Sequence, residues 1–473
     1  MYESIFQSLA NPPFRLNAFR TTGPRSTVLI KQTMIRSQRR QAILTFLAVI
    51  GSVSLLNFVG TFLNKTFSTF GPCLCNSRII FNESGVIDTS SCWRQLAKTT
   101  YVFTAYLDDR DPCMALITVL GFGVMSEAPL RGTLLLHSGE RIELGKYKKK
   151  MILNPYGDYS LERLGPYTYS WPLPATVPSV GYLKSIEVQQ IRSYAGKTET
   201  TVIPITRPVY STKTFGVCID SPLFGNVDAR AIIENIEINK VLGAEWFTFY
   251  IYNSDQAALQ VLQRYASEGM VEVVQNWGEG LPKDITHYFG QTLSINECAY
   301  RNLYRVKYLV YTDLDEFIVP KISLGWKDMM KTIESVRDGT YLFRHAYFFE
   351  NLNATSTVKT SFPCSGSRNV KLPSFLSRVT RSREIHPPEV RSKYMIKPSY
   401  ATAVGVHEVF KHVTYYVRTY VVPPEFALLH HCRRFEEGIS PMTDVNHQLV
   451  PDARALVFKT RIVAGLRKRL CFT

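Results

Sequence analysis

From position 42 to position 63 the chain carries no charged residue. At about 1.5 Å per residue, such a helix crosses a hydrocarbon core of about 30 Å. The pattern then changes. Between about 97 and 205, β-branched and aromatic runs (100–107, 116–122, 132–137 and 185–191) alternate with turn-prone stretches such as 154–157 and 172–178. This spacing predicts a small all-β module. Pro204 and Pro208 mark its exit, with a boundary near 205–212.

Beyond the boundary, short apolar runs alternate with amphipathic ones. Strands are predicted at 215–219, 246–252, 271–274 and 308–311. Between them, Asn226 or Asp228 caps a helix running to Leu242. Ser254 caps a second, with Ala258, Val261, Leu262 and Tyr265 on one face and Gly269 at its end. A third helix covers 288–302. A fourth carries Trp326, Met329, Met330 and Ile333. Alternating strands and helices predict an α/β fold with a mainly parallel sheet flanked by helices, whose ligands bind at the carboxyl ends of the strands.

Charge and covalent chemistry refine this picture. Arg36, Arg39 and Arg40 stand just before the apolar span. Positive flanks stay in the cytosol, so residues 1–41 read as a cytoplasmic tail and 42–63 as a transmembrane signal-anchor. The remainder is lumenal, a single-pass type II arrangement of the Golgi membrane. The three N-x-S/T sequons, at Asn64, Asn82 and Asn353, all follow the span, as do all nine cysteines. That setting permits glycosylation and disulfides. Cys73, Cys75, Cys92 and Cys113 are expected to pair within the first lumenal region. The odd total leaves one thiol over. The formal net charge of +16 would suit nucleic acid, but no nucleic-acid module is present, and it equally suits a nucleotide diphosphate. The basic run at Lys146 and Lys148–Lys150 reads as a solvated turn.

The chemistry centres on Asp313-Leu314-Asp315, which follows the apolar run 308–311. In extended chain, residues i and i+2 point the same way, so both carboxylates face one cleft. Their mutual repulsion is relieved by a divalent cation, and hard oxygen ligands suit Mn2+ or Mg2+. Such an ion neutralises charge on a departing diphosphate. The competing reading is a capped loop whose acids meet Lys307 or Lys321.

At this point the sequence resembles glycosyltransferase family 92, whose members have a GT-A fold and a type II anchor. The resemblance runs over about 215–433, in the stretches 218–225 (CIDSPLFG), 290–298 (through Gly290-Gln291 and Asn296-Glu297-Cys298), 311–320 (YTDLDEFIVP), 393–398 (KYMIKP), 405–407 (GVH) and 429–433 (LHHCR). It implies a GT-A-like catalytic domain over 212–473, behind the stem and β-rich region that the residue pattern places over 64–211. It also implies inverting transfer of galactose from UDP-galactose to a glycan acceptor, with Mn2+ (or Mg2+) as cofactor. Asp313 and Asp315 then match the metal-binding pair, and His431, with His407 as the other choice, completes the shell. Ser221, Pro222, Asn253, Gln291, Asn296 and Lys397 are expected around the nucleotide-sugar. The chain departs from the family at Cys432, where tyrosine is usual, at His430, and at Lys397, where arginine is usual. A lysine there loses the bidentate fork.

An inverting transfer needs one general base for the acceptor hydroxyl. Glu350, Glu408 and Glu316 are the candidates. The rival function is a catalytically inactive lumenal glycan-binding or adhesion protein, built on the β-rich region.

Overall fold

The computed structural model describes residues 86–88, 91–111, 114–152, 164–177, 180–191, 200–206, 209–281, 286–349, 360–364, 368–433 and 449–471. The apolar span 42–63, the sequons at Asn64, Asn82 and Asn353, and Glu350 lie outside them. Among the described residues, no helix is long and apolar enough to cross a membrane.

The second half is a mixed α/β structure. Its large sheet contains β1 (Val86–Asp88), β2 (Lys213–Ile219), β3 (Trp246–Ser254), β4 (Val271–Val274) and β5 (Val306–Thr312). These five pair in parallel, in the order β1-β4-β3-β2-β5. Beside this sheet, β6 (Glu316–Pro320) opens a small three-stranded one. The large sheet then continues past β5 through a later antiparallel strand to β7 (Asp338–Phe343), and β8 (His345–Phe349) belongs to the small sheet. That later strand is β9 (Lys393–Ile396), antiparallel to both β5 and β7. β10 (Arg418–Val422) closes the edge, and β11 (Ala427–Arg433) lies between β6 and β8.

Alternate residues of the sheet feed two cores. Phe215, Val217 and Ile219 point into one, which is covered by α1 (Ala229–Leu242) and α2 (Gln256–Ser267). Cys218 points into the other, against α3 (Gln291–Arg301). The first core also receives Trp326, Met329, Met330 and Ile333 from α4 (Trp326–Ile333), and Ile462 and Leu466 from α5 (Lys459–Leu470).

Local chemistry sets the boundaries. Asp228 caps α1 by accepting from the Arg230 N–H. For α2 the cap is Asp255 rather than Ser254, one residue later than expected, because its carboxylate takes the Ala258 N–H. The third helix begins at 291 rather than 288. Tyr288, Phe289 and Gly290 all hold positive φ (43°, 59° and 81°), a conformation no right-handed helix contains.

The β-rich region is a twisted sheet whose path ends at Arg141–Glu143 and Lys148–Met151. Only residues 144–147 separate those two ends, so the sheet curls back on itself around a core containing Leu134, Val119, Ile186 and Trp171. Within the basic run, Lys149 pairs with the buried Glu127 at 2.6 Å, while Lys148 and Lys150 face solvent.

The outer face of this sheet is not free. Phe103, Tyr106, Leu120 and Phe122 share the second core with Trp277, Leu293, Ile295 and Cys298. Every residue of α3 is buried. Residues 72–473 accordingly form one compact unit. Arg301 fastens the layers, reaching Asp88 at 2.8 Å, Glu272 at 2.9 Å and Glu297 at 2.7 Å. Tyr106 and Tyr250 both donate to Glu297.

Two disulfides are present among the described residues, Cys218–Cys298 and Cys364–Cys471. The first ties β2 to α3, and the second ties the end of α5 to the chain before residue 365. Cys92 is also disulfide-bonded. Cys73, Cys75 and Cys113 lie outside the described residues.

Candidate functional site

The carboxyl ends of β2 and β5 lie side by side, with Ile219 opposite Thr312. The chain leaves β5 through Asp313 and turns at once into β6. The turn is tight rather than extended: the Glu316 N–H reaches the Asp313 carbonyl at 3.3 Å. Asn235 of α1 donates to the Leu314 carbonyl at 3.0 Å and fixes the loop from below. Leu314, between the two aspartates, packs against the first core.

The turn gives the two aspartates different partners. Asp313 Oδ2 lies 3.0 Å from the Lys393 ammonium, and its Oδ1 accepts from Ser221 Oγ at 3.2 Å. Gln291 Nε2 donates to the same Ser221 Oγ at 2.9 Å. Asp315 instead lies 3.2 Å from His431 Nε2. Both aspartates line one cavity of about 650 Å³ at the carboxyl edge of the sheet. Ser221, Pro222, Gln291, Glu316, His407 and His431 share its wall.

Lys393 is wholly inaccessible to solvent and touches three acids: Asp220 at 2.5 Å, Asp313, and Glu316 at 3.5 Å. Burial lowers the affinity of such an ammonium for its proton, but Asp220, Asp313 and Glu316 outweigh this and hold it well above its ordinary range. Burial pushes Asp220 up to about 8 even against Lys393, with Asp313 and Glu316 adding repulsion. Burial also raises Asp313, yet Lys393 and the nearby histidines bring it below its usual value. The cluster thus takes up a proton most readily at Asp220 and keeps Asp313 ionised, beside the cavity.

The neighbouring β6–β11–β8 sheet supplies the histidines. Glu316 is in register with His431, and Tyr347 flanks it from the other side. His431 Nδ1 faces inward, 3.3 Å from Glu316 Oε1 and 2.9 Å from His345 Nε2. Its Nε2 faces Asp315 and the cavity. Burial lowers the His431 pKa, but Asp315 and Glu316 raise it above the ordinary value. Burial, together with His431 and His386, holds His345 well below its ordinary value and therefore neutral. With Nδ1 held between Glu316 and His345, Nε2 is the nitrogen turned to Asp315 and the cavity, where it carries a proton in the metal-free site and is the atom a cation would take up.

A carboxylate oxygen and an outward imidazole nitrogen at one cavity wall make a donor pair that fits a divalent cation. Glu316, His345 and His431 also bring three donor atoms within 4.8 Å of one another, on the buried side of the imidazole. There Glu316 is already engaged by Lys393 and by the Asp313 N–H at 3.3 Å.

The other residues named from the sequence divide as follows. His407 lines the cavity with its Nδ1 3.1 Å from the Ser392 carbonyl, and burial beside Lys393 lowers it to about 4. Asn296 binds both the carbonyl and the N–H of Val404, at 2.7 and 2.9 Å, and so holds the hairpin of Ala401–Val404 and Val409–His412 rather than facing the cavity. Asn253 is exposed, pairs with Phe224 and is not in the cavity lining. Lys397 is at the far end of the sheet, in a separate cavity. β9 runs antiparallel to β5, so Lys393 arrives beside Asp313 while Lys397 is carried about 13 Å along the strand the other way. Glu408 follows His407 on the hairpin, and burial raises its pKa. Cys432 faces the core, its alternation with His431 turning it away from the site. His430 is buried against Phe348 at 4.0 Å, and burial lowers it to about 3.

Sequence reasoning missed Lys393, Asp220, Arg391, Arg433, Phe224 and Tyr288. The last four line the cavity. Lys393, Asp220, Phe224 and Arg433 all fall inside the quoted stretches, so the signal was present, but strand direction was needed to choose Lys393 over Lys397.

The class defined by these features is a mixed α/β protein whose sheet opens, at its carboxyl edge, on a cavity lined by acids, histidines and arginines. Residues 213–461, more than half of the chain, match the model of glycosyltransferase family 92, and the chain belongs to that family. It is similar to Caenorhabditis elegans proteins described as "Beta-1,4-galactosyltransferase galt-1" and "Glycosyltransferase family 92 protein C33H5.2". Identity to the first is 32% over 123 residues, covering 25% of this chain and 28% of the relative. For the second it is 25% over 190 residues, covering 38% and 36%. The chain therefore spans about a third of the length of these relatives. Among solved structures, S. aureus TarS 1-349 aligns over 46% of this chain and 60% of its own, at 11% identity and a TM-score of 0.27, too low to carry an argument about fold.

Proposed function

We propose that the chain is a metal-dependent, inverting glycosyltransferase of GT-A fold that transfers galactose from UDP-galactose to a glycan acceptor. Its setting is the Golgi lumen, behind a type II anchor at residues 42–63. Family membership and the similarity to a relative described as a β-1,4-galactosyltransferase support the reading. The observation that carries it is the meeting of Asp315 Oδ2 and His431 Nε2, 3.2 Å apart, on the wall of the cavity.

Asp315 and His431 would hold the cation, which when bound offsets negative charge on the departing diphosphate. Glu316 and His345 orient His431 from behind. Lys393 keeps Asp313 ionised and in place, and Ser221 and Gln291 hold its other oxygen. Arg391 and Arg433 give the cavity positive charge for phosphate oxygens. The acceptor hydroxyl must give up a proton to a carboxylate. Glu316 is poorly suited, being buried and already hydrogen-bonded. Glu408, with a pKa raised toward the useful range, and Glu350 are the groups this reading retains.

The test is release of UDP from UDP-galactose by the purified chain with Mn2+, with and without glycan acceptors. Asp315→Asn should abolish turnover and Mn2+ binding together. Full activity in that variant would sink the reading.

A further inference from the structure

A second cavity, of about 770 Å³, opens at the opposite end of the sheet. It lies where β2 and β5 begin, about 20 Å along β5 from Asp313. Its volume is in the range of small-ligand sites. The mechanism above uses none of its residues.

The lining is cationic and aromatic. Lys213, Lys307, Lys331 and Lys397 contribute to it, and Glu334 is the one acid among them. Glu334 bridges two of the lysines, with Oε1 3.1 Å from Lys397 and Oε2 2.9 Å from Lys307. Burial raises this carboxyl, but hydrogen bonds from its neighbours, these lysines included, hold it down to about 2. It is thus an anion that sets two ammonium groups side by side, and with the Asp328 carboxylate that Lys331 reaches at 2.9 Å counted as well, four positive charges face two negative.

Next to them Tyr304 stacks on Tyr210, at 4.9 Å and only 10° from parallel. Tyr210 is 72% exposed, which leaves the outer face of a fixed ring pair open to solvent. The Tyr304 hydroxyl is anchored on Asp109 at 2.5 Å. Tyr400, under Lys397, forms part of the lining. A flat exposed ring receives the apolar C–H face of a sugar, and the adjacent ammonium groups receive an anionic substituent. Among the described residues of the lining, Glu334 is the one carboxylate and it is already engaged by two lysines, so the groups offered to a ligand are ammonium groups, hydroxyls and rings.

We propose that this cavity is a second carbohydrate site, distinct from the carboxyl-edge cavity, that takes an oligosaccharide bearing anionic substituents. It would retain an acidic glycan while the other end of the sheet works on a chain terminus.

The probe is a hyaluronan hexasaccharide, titrated calorimetrically into the purified full chain, with neutral chitohexaose and inorganic phosphate as comparisons. The hyaluronan fragment should bind at least tenfold more tightly than either. Lys213→Ala/Lys307→Ala should weaken it tenfold or more, and Tyr210→Ala at least threefold, with thermal midpoints unchanged. Saturating UDP with Mn2+ should not displace it. Equal binding of the neutral sugar, phosphate binding as tightly, displacement by UDP, indifference to both variants, or no binding at all would each overturn the proposal. Absence of UDP-galactose turnover in the same preparation would count against the transferase reading alone.

Discussion

Lys393 concentrates the electrostatics of the site, and its removal is the sharpest test of them. In Lys393→Met a neutral chain of similar length replaces a buried ammonium that touches Asp220, Asp313 and Glu316. Breaking a buried ion pair from one side costs about 3–5 kcal/mol, because the partner charge stays behind. With an unfolding entropy of about 2.1 cal/mol/K per residue, the unit spanning 72–473 shifts by about 1.2 °C per kcal/mol, so the melting midpoint should fall by roughly 4–6 °C at pH 7.5. The effect has a definite pH signature. Asp220 and Glu316 have pKa values above those of ordinary carboxyls, so as pH falls they become neutral and require no counter-charge. Asp313 is held below its usual value by Lys393, so its contribution is present above the ordinary carboxylate range and is lost as pH falls through the folded value. The gap between wild type and variant should therefore narrow at pH 5. Scanning fluorimetry of both proteins from pH 5 to 8 measures it. A midpoint within about 2 °C of wild type at pH 7.5, or a gap that widens toward acid, would refute the reasoning.

Other outcomes follow from the same contacts. His431 has a raised pKa in the metal-free protein, and a cation must displace its proton. Mn2+ affinity measured by electron paramagnetic resonance should rise with pH through the folded value, above the ordinary 6.5, and flatten beyond it. Asn296→Ala strands both the carbonyl and the N–H of the buried Val404. It should cost roughly 2–4 kcal/mol in denaturant unfolding while leaving the KM for UDP-galactose within twofold. Opening Cys218–Cys298, 80 residues apart, by the double alanine variant should lower stability by about 4.5 kcal/mol on loop-closure grounds. Peptide mapping without reductant should recover that pair.

The parallel core was readable from the sequence because its strands are short apolar runs and its helices carry capped amphipathic stripes. The strand Val271–Val274 has the predicted limits. Asp313 and Asp315 were readable because they end such a run. What could not be read was long-range. The sequence of α3, QTLSINECAYR, is rich in polar residues and reads as a helix with a solvated face, yet it is fully buried because Asn296, Glu297 and Arg301 find their partners inside, so the β-rich sheet on its far side looked like a separate neighbour. The tight turn that separates the roles of Asp313 and Asp315 depends on Asn235, 78 residues away. Lys393 and Lys397 look alike in KYMIKP, and only the antiparallel register of β9 assigns one to each end of the sheet.

The sandwiching of α3 between two sheets has a practical consequence. A recombinant fragment started at residue 213, where the family match begins, would strip the cover from Leu293, Ile295 and Tyr300, and from Trp277 beside them. It would also delete Asp88 and leave Arg301 short of one counter-ion. Such a fragment should precipitate or require a chaperone, whereas one beginning before β1 keeps the helix roofed.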